Sequence, residues 1–95
     1  MIKTIIIDDE KHCIITLEHL LKQNKNVMVV ATTQDSTKAK ALIEEHKPDL
    51  VFLDIEMPKM NGIEFIKRLL PQYSIPVIMV SGVTDVVFEI GRAHV

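Results

Sequence analysis

The apolar positions of this chain fall into two kinds of run that alternate along its length. Thr4–Ile7, Val27–Ala31, Leu50–Leu53 and Val77–Val80 are short, unbroken and rich in β-branched side chains. Such runs suit strands covered on both faces, because a half-exposed strand would alternate apolar with polar residues. Between them, apolar residues recur at helical spacing. Ile14, Leu17, Leu20 and Leu21 line one face of a helix predicted from about Lys11 to Lys22. Ala39, Leu42, Ile43 and His46 line a second, predicted from about Ser36 with Asp35 or Ser36 as its N-cap. Ile63, Phe65, Ile66, Leu69 and Leu70 mark a third, from near Asn61 to the helix-stopping Pro71. Pro48 and Pro76 each stand just before a strand run, where the chain must extend.

The order is therefore β-α-β-α-β-α-β, followed by the start of another helix near Thr84. Right-handed crossovers place helices on both faces of a mostly parallel sheet. The predicted class is α/β, a doubly wound open sheet. Sheets of this kind put their functional site outside the carboxyl ends of the strands. Asp8, Asp9, Asp54 and Ser81 all fall at such ends. If the strands ending in Asp8-Asp9 and Asp54 are neighbours, three carboxylates meet at one edge. That cluster suits a hard cation and, with the right partners, a phosphoryl group.

Composition narrows the setting. Ninety-five residues allow one small domain with a modest core. A net charge of −2, with Lys and Arg scattered, gives no electrostatic reason to bind nucleic acid or an anionic membrane. The single cysteine, Cys13, rules out an internal disulfide and fits a reducing cytoplasm. It is expected to be a small buried hydrophobe. The opening Met1–Ile7 is too short and too soon acidic for a signal sequence, and no apolar stretch approaches the about 20 residues that span a bilayer. A cytoplasmic location is expected. His12, His19 and His46 have no cysteine partners and no zinc-like spacing, so they read as solvated or half-buried structural residues.

Taken singly, Asp8 or Asp9 fits a helix-capping role and Asp54 a strand-end turn. Their conjunction with other short motifs points elsewhere. Ile6-Ile7-Asp8-Asp9-Glu10, Leu50-Val51-Phe52-Leu53-Asp54-Ile55-Glu56-Met57-Pro58, Asn61-Gly62 and Val77-Ile78-Met79-Val80-Ser81-Gly82 occur in order. With them the chain resembles the receiver domain of two-component response regulators over about residues 2–89. The resemblance implies a flavodoxin-like sheet in order 2-1-3-4-5. It implies that Asp54 takes a phosphoryl group from a phosphohistidine on a sensor histidine kinase. Mg²⁺ would be held by Asp9, by Asp54, by the main-chain carbonyl of Glu56 and, through water, by Asp8. Ser81 and Gly82 would form the phosphoryl-binding switch, and Met57, Pro58 and Gly62 would shape the loop. The module would signal rather than catalyse for others.

The resemblance also shows where the pattern breaks. The family's fifth strand, with its lysine and switch aromatic, and the last helix are missing, and neither Lys59 nor Lys67 replaces that lysine. Val77–Val80 is then expected to be an exposed edge, and the chain to fold poorly and accept phosphate weakly by itself. Residues 1–89 are expected to be the incomplete receiver and residues 90–95 a non-native tail, because Gly91 interrupts the expected helix at a cost of about 1 kcal/mol. The missing output domain has two leads. Residues 70–81 and 83–88 resemble receivers of chemotaxis-type methylesterases, whereas residues 5–13 and 52–58 resemble DNA-binding LytTR-type regulators. No Gly-x-Ser-x-Gly esterase motif is present. Two alternatives remain: an FMN-binding flavodoxin-like module, which acids after the first strand would disfavour, and a Mg²⁺-dependent phosphohydrolase.

Overall fold

The computed structural model describes residues 1–54, 64, 67, 75–80 and 87–90. Their elements are β1 (Ile2–Ile7), α1 (Lys11–Lys22), β2 (Val27–Thr33), a 3₁₀ turn (Ser36–Lys38), α2 (Ala39–His46), β3 (Leu50–Asp54), β4 (Val77–Val80) and β5 (Val87–Ile90). The sheet order is β2-β1-β3-β4-β5. Its first four strands are mutually parallel, the doubly wound arrangement expected from the alternating pattern, in the flavodoxin-like order that the resemblance implies.

The core explains that order. Successive strand side chains point to opposite faces, so the unbroken apolar runs serve two layers at once. Ile5, Ile7, Val51, Leu53 and Val77 pack with Ala39 and Ile43 of α2. The intervening Ile6 and Phe52 pack with Ile14 of α1 on the other face. A register shift between Thr4 and Ile5 marks a bulge in β2. There Val30 and Ala31 both pack with the α2 layer, while Val29 packs with the α1 layer. The extra residue breaks the alternation in β2 without disturbing β1.

Helix ends follow local chemistry. Asp35 caps the 3₁₀ turn, its Oδ1 accepting the Thr37 N–H at 2.9 Å. Lys47 closes α2 in the left-handed region at φ 47°, its N–H donating to the Ile43 carbonyl at 2.8 Å. Pro48 then prevents further helix. Leu20, expected on the buried face of α1, is instead 56% exposed. Helix α1 buries only the stripe centred on Ile14, and Leu20 lies on the far side of the Leu17–Leu21 edge.

Two further expectations are corrected at the carboxyl-terminal side. Instead of a helix beginning near Thr84, Val87–Ile90 is a strand, and it pairs antiparallel with β4. Val77–Val80 is therefore not an open edge. Unpaired N–H and C=O groups along β4 need partners, and the β-branched and aromatic Val87-Phe88 supplies a segment suited to extended backbone. This antiparallel strand is distinct from the parallel fifth strand that the resemblance implies. The expected third helix, over about residues 61–70, lies outside the described residues apart from Glu64 and Lys67, which are helical and exposed. Among the described residues, no helix is long and apolar enough to cross a membrane.

Thr4 is fully buried, and its hydroxyl has no hydrogen-bond partner among the described residues. An unsatisfied buried hydroxyl costs about 1–3 kcal/mol, and a valine of the same shape removes that cost. Thr4→Val is expected to stabilise the fold by about 1 kcal/mol in urea unfolding. An unchanged or lowered midpoint would contradict this.

Candidate functional site

The site grows from two strand ends. β1 and β3 run side by side in parallel, with Ile7 opposite Leu53, so the next residues, Asp8 and Asp54, emerge together. Both strands are apolar up to that point, and their burial draws the acids inward: Asp8 is 7% exposed and Asp54 6%. Asp9, one residue further along, is half-buried. Carboxylate oxygens of Asp8, Asp9 and Asp54 lie within 4.8 Å of one another.

Asp8 is held from several sides. Its N–H donates to the Thr33 carbonyl at 3.1 Å, extending the β1–β2 ladder past the strand end. Its Oδ1 accepts the Glu10 N–H at 2.9 Å, so Asp8 shapes the turn into α1 rather than capping the helix proper. Its side chain also shares a hydrogen bond with that of Asp54. Burial pushes the Asp8 carboxyl above the ordinary carboxylate range; the Glu10 N–H and the Asp54 hydrogen bond oppose this, while the charges of Asp9 and Glu10 add to it.

That shift has a consequence for stability. The folded protein holds the Asp8 proton more tightly than the unfolded chain does. The stability this group supplies is complete below the ordinary carboxylate range and is lost as pH rises through the raised value. Asparagine imitates the protonated acid at every pH. Metal-free Asp8→Asn is therefore expected to gain thermal stability relative to the unaltered protein as pH rises from acidic to neutral. Melting curves recorded in a chelator test this, and a gap that does not widen with pH rejects it.

Three close carboxylates repel one another, and a divalent cation relieves the repulsion. The donor set is all oxygen and small in number, which fits Mg²⁺, a hard cation that retains several waters.

Of the residues singled out from sequence, Asp8, Asp9 and Asp54 are thus brought together. Glu56, Met57, Pro58, Gly62, Ser81 and Gly82 lie outside the described residues. The sequence reading missed the end of β2. Besides the Thr33 carbonyl, the Gln34 side chain reaches the site, its Nε2 donating to the Asp9 carbonyl at 3.1 Å. The available signal was positional: β2 lies beside β1, so its carboxyl end abuts the Asp8-Asp9 turn.

Two expectations about α1 need correction. Cys13 is half-buried rather than buried, with Sγ 3.9 Å from Glu10 Oε2. Burial, followed by the charges of Asp8, Glu10, Asp54 and Asp9, pushes its thiol pKa up. His12 does have a cysteine neighbour: donor atoms of Glu10, His12 and Cys13 lie within 4.8 Å of one another. Glu10 and His12 are exposed there, and both side chains can turn into solvent. A recess of about 410 Å³ lined by Ile43, Glu44, Lys47, Pro48 and Ile75 sits at the opposite, amino-terminal edge of the sheet, away from the acids.

Comparison with known proteins agrees with this geometry. Residues 4–93 match the family model for the response regulator receiver domain. A protein-glutamate methylesterase/protein-glutamine glutaminase of Syntrophomonas wolfei is 44% identical over 88 residues, covering 93% of this chain and 26% of that protein. A protein of the same description from Syntrophotalea carbinolica is 40% identical, covering 88% and 24%. The chain thus spans about a quarter of the length of these curated relatives. Among solved structures, the response regulator domain of Thermotoga maritima CheB superposes with a TM-score of 0.78 at 33% identity, covering 90% of this chain and 63% of that one. The receiver domain of PhyR from Erythrobacter litoralis gives 0.72 at 28%, covering 84% and 62%.

Proposed function

This chain belongs to the response regulator receiver domain family, and on that premise we propose that it is the phosphoacceptor of a two-component phosphorelay, with Asp54 as the residue that is phosphorylated. The observation that supports the reading is the meeting of Asp8, Asp9 and Asp54 at adjoining strand ends. A carboxylate oxygen of Asp54 attacks phosphorus of a phosphohistidine on a sensor histidine kinase. The phosphorus–nitrogen bond breaks, its electron pair stays on the imidazole, and Asp54 carries the phosphoryl group as an acyl phosphate. Burial of Asp54 at the end of β3 fixes the nucleophile and limits its rotamers.

Asp9 and Asp54 would ligate Mg²⁺ directly, with the Glu56 main-chain carbonyl as a third ligand and Asp8 acting through water. The cation, when bound, neutralises negative charge on the phosphoryl oxygens. Ser81 and Gly82 would bind a phosphoryl oxygen and convert the new charge into a loop shift, and Met57, Pro58 and Gly62 would be loop-shaping residues. The domain would act as a cytoplasmic switch with no direct contact to nucleic acid or membrane. Its output would be a methylesterase-type domain, in keeping with the curated relatives, with a DNA-binding output as the alternative.

Beryllofluoride offered with Mg²⁺ tests the reading. Stoichiometric binding that needs Asp54 supports the phosphoacceptor. Steady turnover of a phosphate ester would overturn it in favour of a phosphohydrolase.

A further inference from the structure

Asp9 differs from its two partners in how it is held. Asp54 is the last residue of β3, and Asp8 is tied to β2 through the Thr33 carbonyl. Asp9 lies beyond the ladder and is the most exposed of the three, so strand packing does not set its position. What reaches it is Gln34, 25 residues further along the chain and the first residue after β2, whose Nε2 donates to the Asp9 carbonyl at 3.1 Å. The turn that carries Gln34 is itself braced. Thr33 Oγ1 accepts the Asp35 N–H at 3.0 Å and lies 3.1 Å from the Asp35 carbonyl, to which it donates. Asp35 in turn caps Thr37.

From this arrangement we propose that Gln34 is a positioning residue, which fixes the Asp9 peptide so that the Asp9 carboxylate faces the cation site before any cation arrives. The inference rests on the reading of Asp8, Asp9 and Asp54 as a Mg²⁺ site. The physical argument is preorganisation. A peptide plane held at its carbonyl has a restricted ψ, and the side chain on the same Cα is restricted with it. Without the amide donor, the Asp9–Glu10 peptide is held only at its N–H, by Asp8 Oδ1, and cation binding must then do more of the ordering. The Asp9–Glu10 peptide plane is thus gripped at both edges, its N–H by Asp8 Oδ1 and its carbonyl by Gln34 Nε2.

The test compares Gln34→Met, which keeps the length and loses the donor, with Gln34→Ala and with Asp9→Asn as reference. Mg²⁺ alone is titrated calorimetrically into each protein, and the metal-free proteins are melted in chelator. Both Gln34 variants are expected to bind Mg²⁺ about three- to tenfold more weakly, the worth of one ordinary hydrogen bond. Their metal-free melting temperatures are expected to fall only slightly, since Gln34 is exposed. Unchanged affinity would overturn the proposal, as would weaker binding with a matching loss of stability, which marks a merely structural residue. Should Asp9→Asn bind Mg²⁺ as tightly as the unaltered protein, the acidic site itself has been misread and both proposals fall together.

Discussion

Replacing Asp54 by asparagine is expected to abolish phosphoryl uptake from acetyl phosphate in the presence of Mg²⁺, while leaving the fold intact. The loss is total because the amide has no carboxylate oxygen with which to form an acyl phosphate, and a neighbouring acid does not stand in the same place. Asp8 is engaged by the Glu10 N–H, and Asp9 lies two residues past the end of β1. The fold survives because asparagine has the same shape and its NH₂ can still donate to Asp8. Removing one of three clustered acids also relieves their repulsion, so the metal-free variant should melt no lower than the unaltered protein. Intact-mass measurement after phosphodonor treatment, paired with circular-dichroism melts, decides the matter. A folded variant that gains a phosphoryl group as readily as the unaltered protein would remove Asp54 from the mechanism.

The second large effect is on stability. Ile43 is 1% exposed and belongs to the cluster of Ile5, Ile7, Val51, Leu53 and Val77, which come from β1, β3 and β4. Ile43→Ala is expected to cost about 2–5 kcal/mol, from lost burial and from the cavity left behind. A domain of this size has about 5–15 kcal/mol in all, so the variant should be partly unfolded near physiological temperature. Helix α2 has eight residues and cannot stand without that contact. Ile15→Ala is the control: the same side chain, 54% exposed on α1, should cost no more than about 0.5 kcal/mol. Urea titrations of both variants test the contrast, and equal losses would refute the assignment of the core. The damage should reach the site as well. Ile7 and Leu53 share that cluster and immediately precede Asp8 and Asp54, so a loosened core weakens Mg²⁺ binding too.

Much of this was legible in the chain because the signals were strong and local. The spacing of Ile14, Leu17 and Leu21 marked α1, and its bounds match at Lys11 and Lys22. Pro76 and the β-branched run after it marked β4 to the residue. Asp35 or Ser36 is expected to cap α2 itself, but Asp35 caps the 3₁₀ turn before it, and α2 begins at Ala39 with Lys38 at its N-cap. Leu20 misled because hydrophobicity alone does not say how wide a buried stripe is. The bulge in β2 was invisible, since Val29-Val30-Ala31 reads equally well with or without a break in alternation.

What the amino-acid order determined by itself was the alternation of strands and helices and the placing of each acid at a strand's carboxyl end. These follow from short-range physics: β-branched runs extend, apolar residues at helical spacing coil, and proline ends a helix. Which ends meet was decided only in three dimensions. Parallel pairing of β1 with β3 set Asp54 against Asp8, and β2 beside β1 brought Gln34 to Asp9. Val87–Ile90 became a strand because an unpaired edge of β4 lay beside it. Pairing of that kind depends on backbone groups far apart in sequence finding partners, and a propensity read along the chain carries no record of which partner is near.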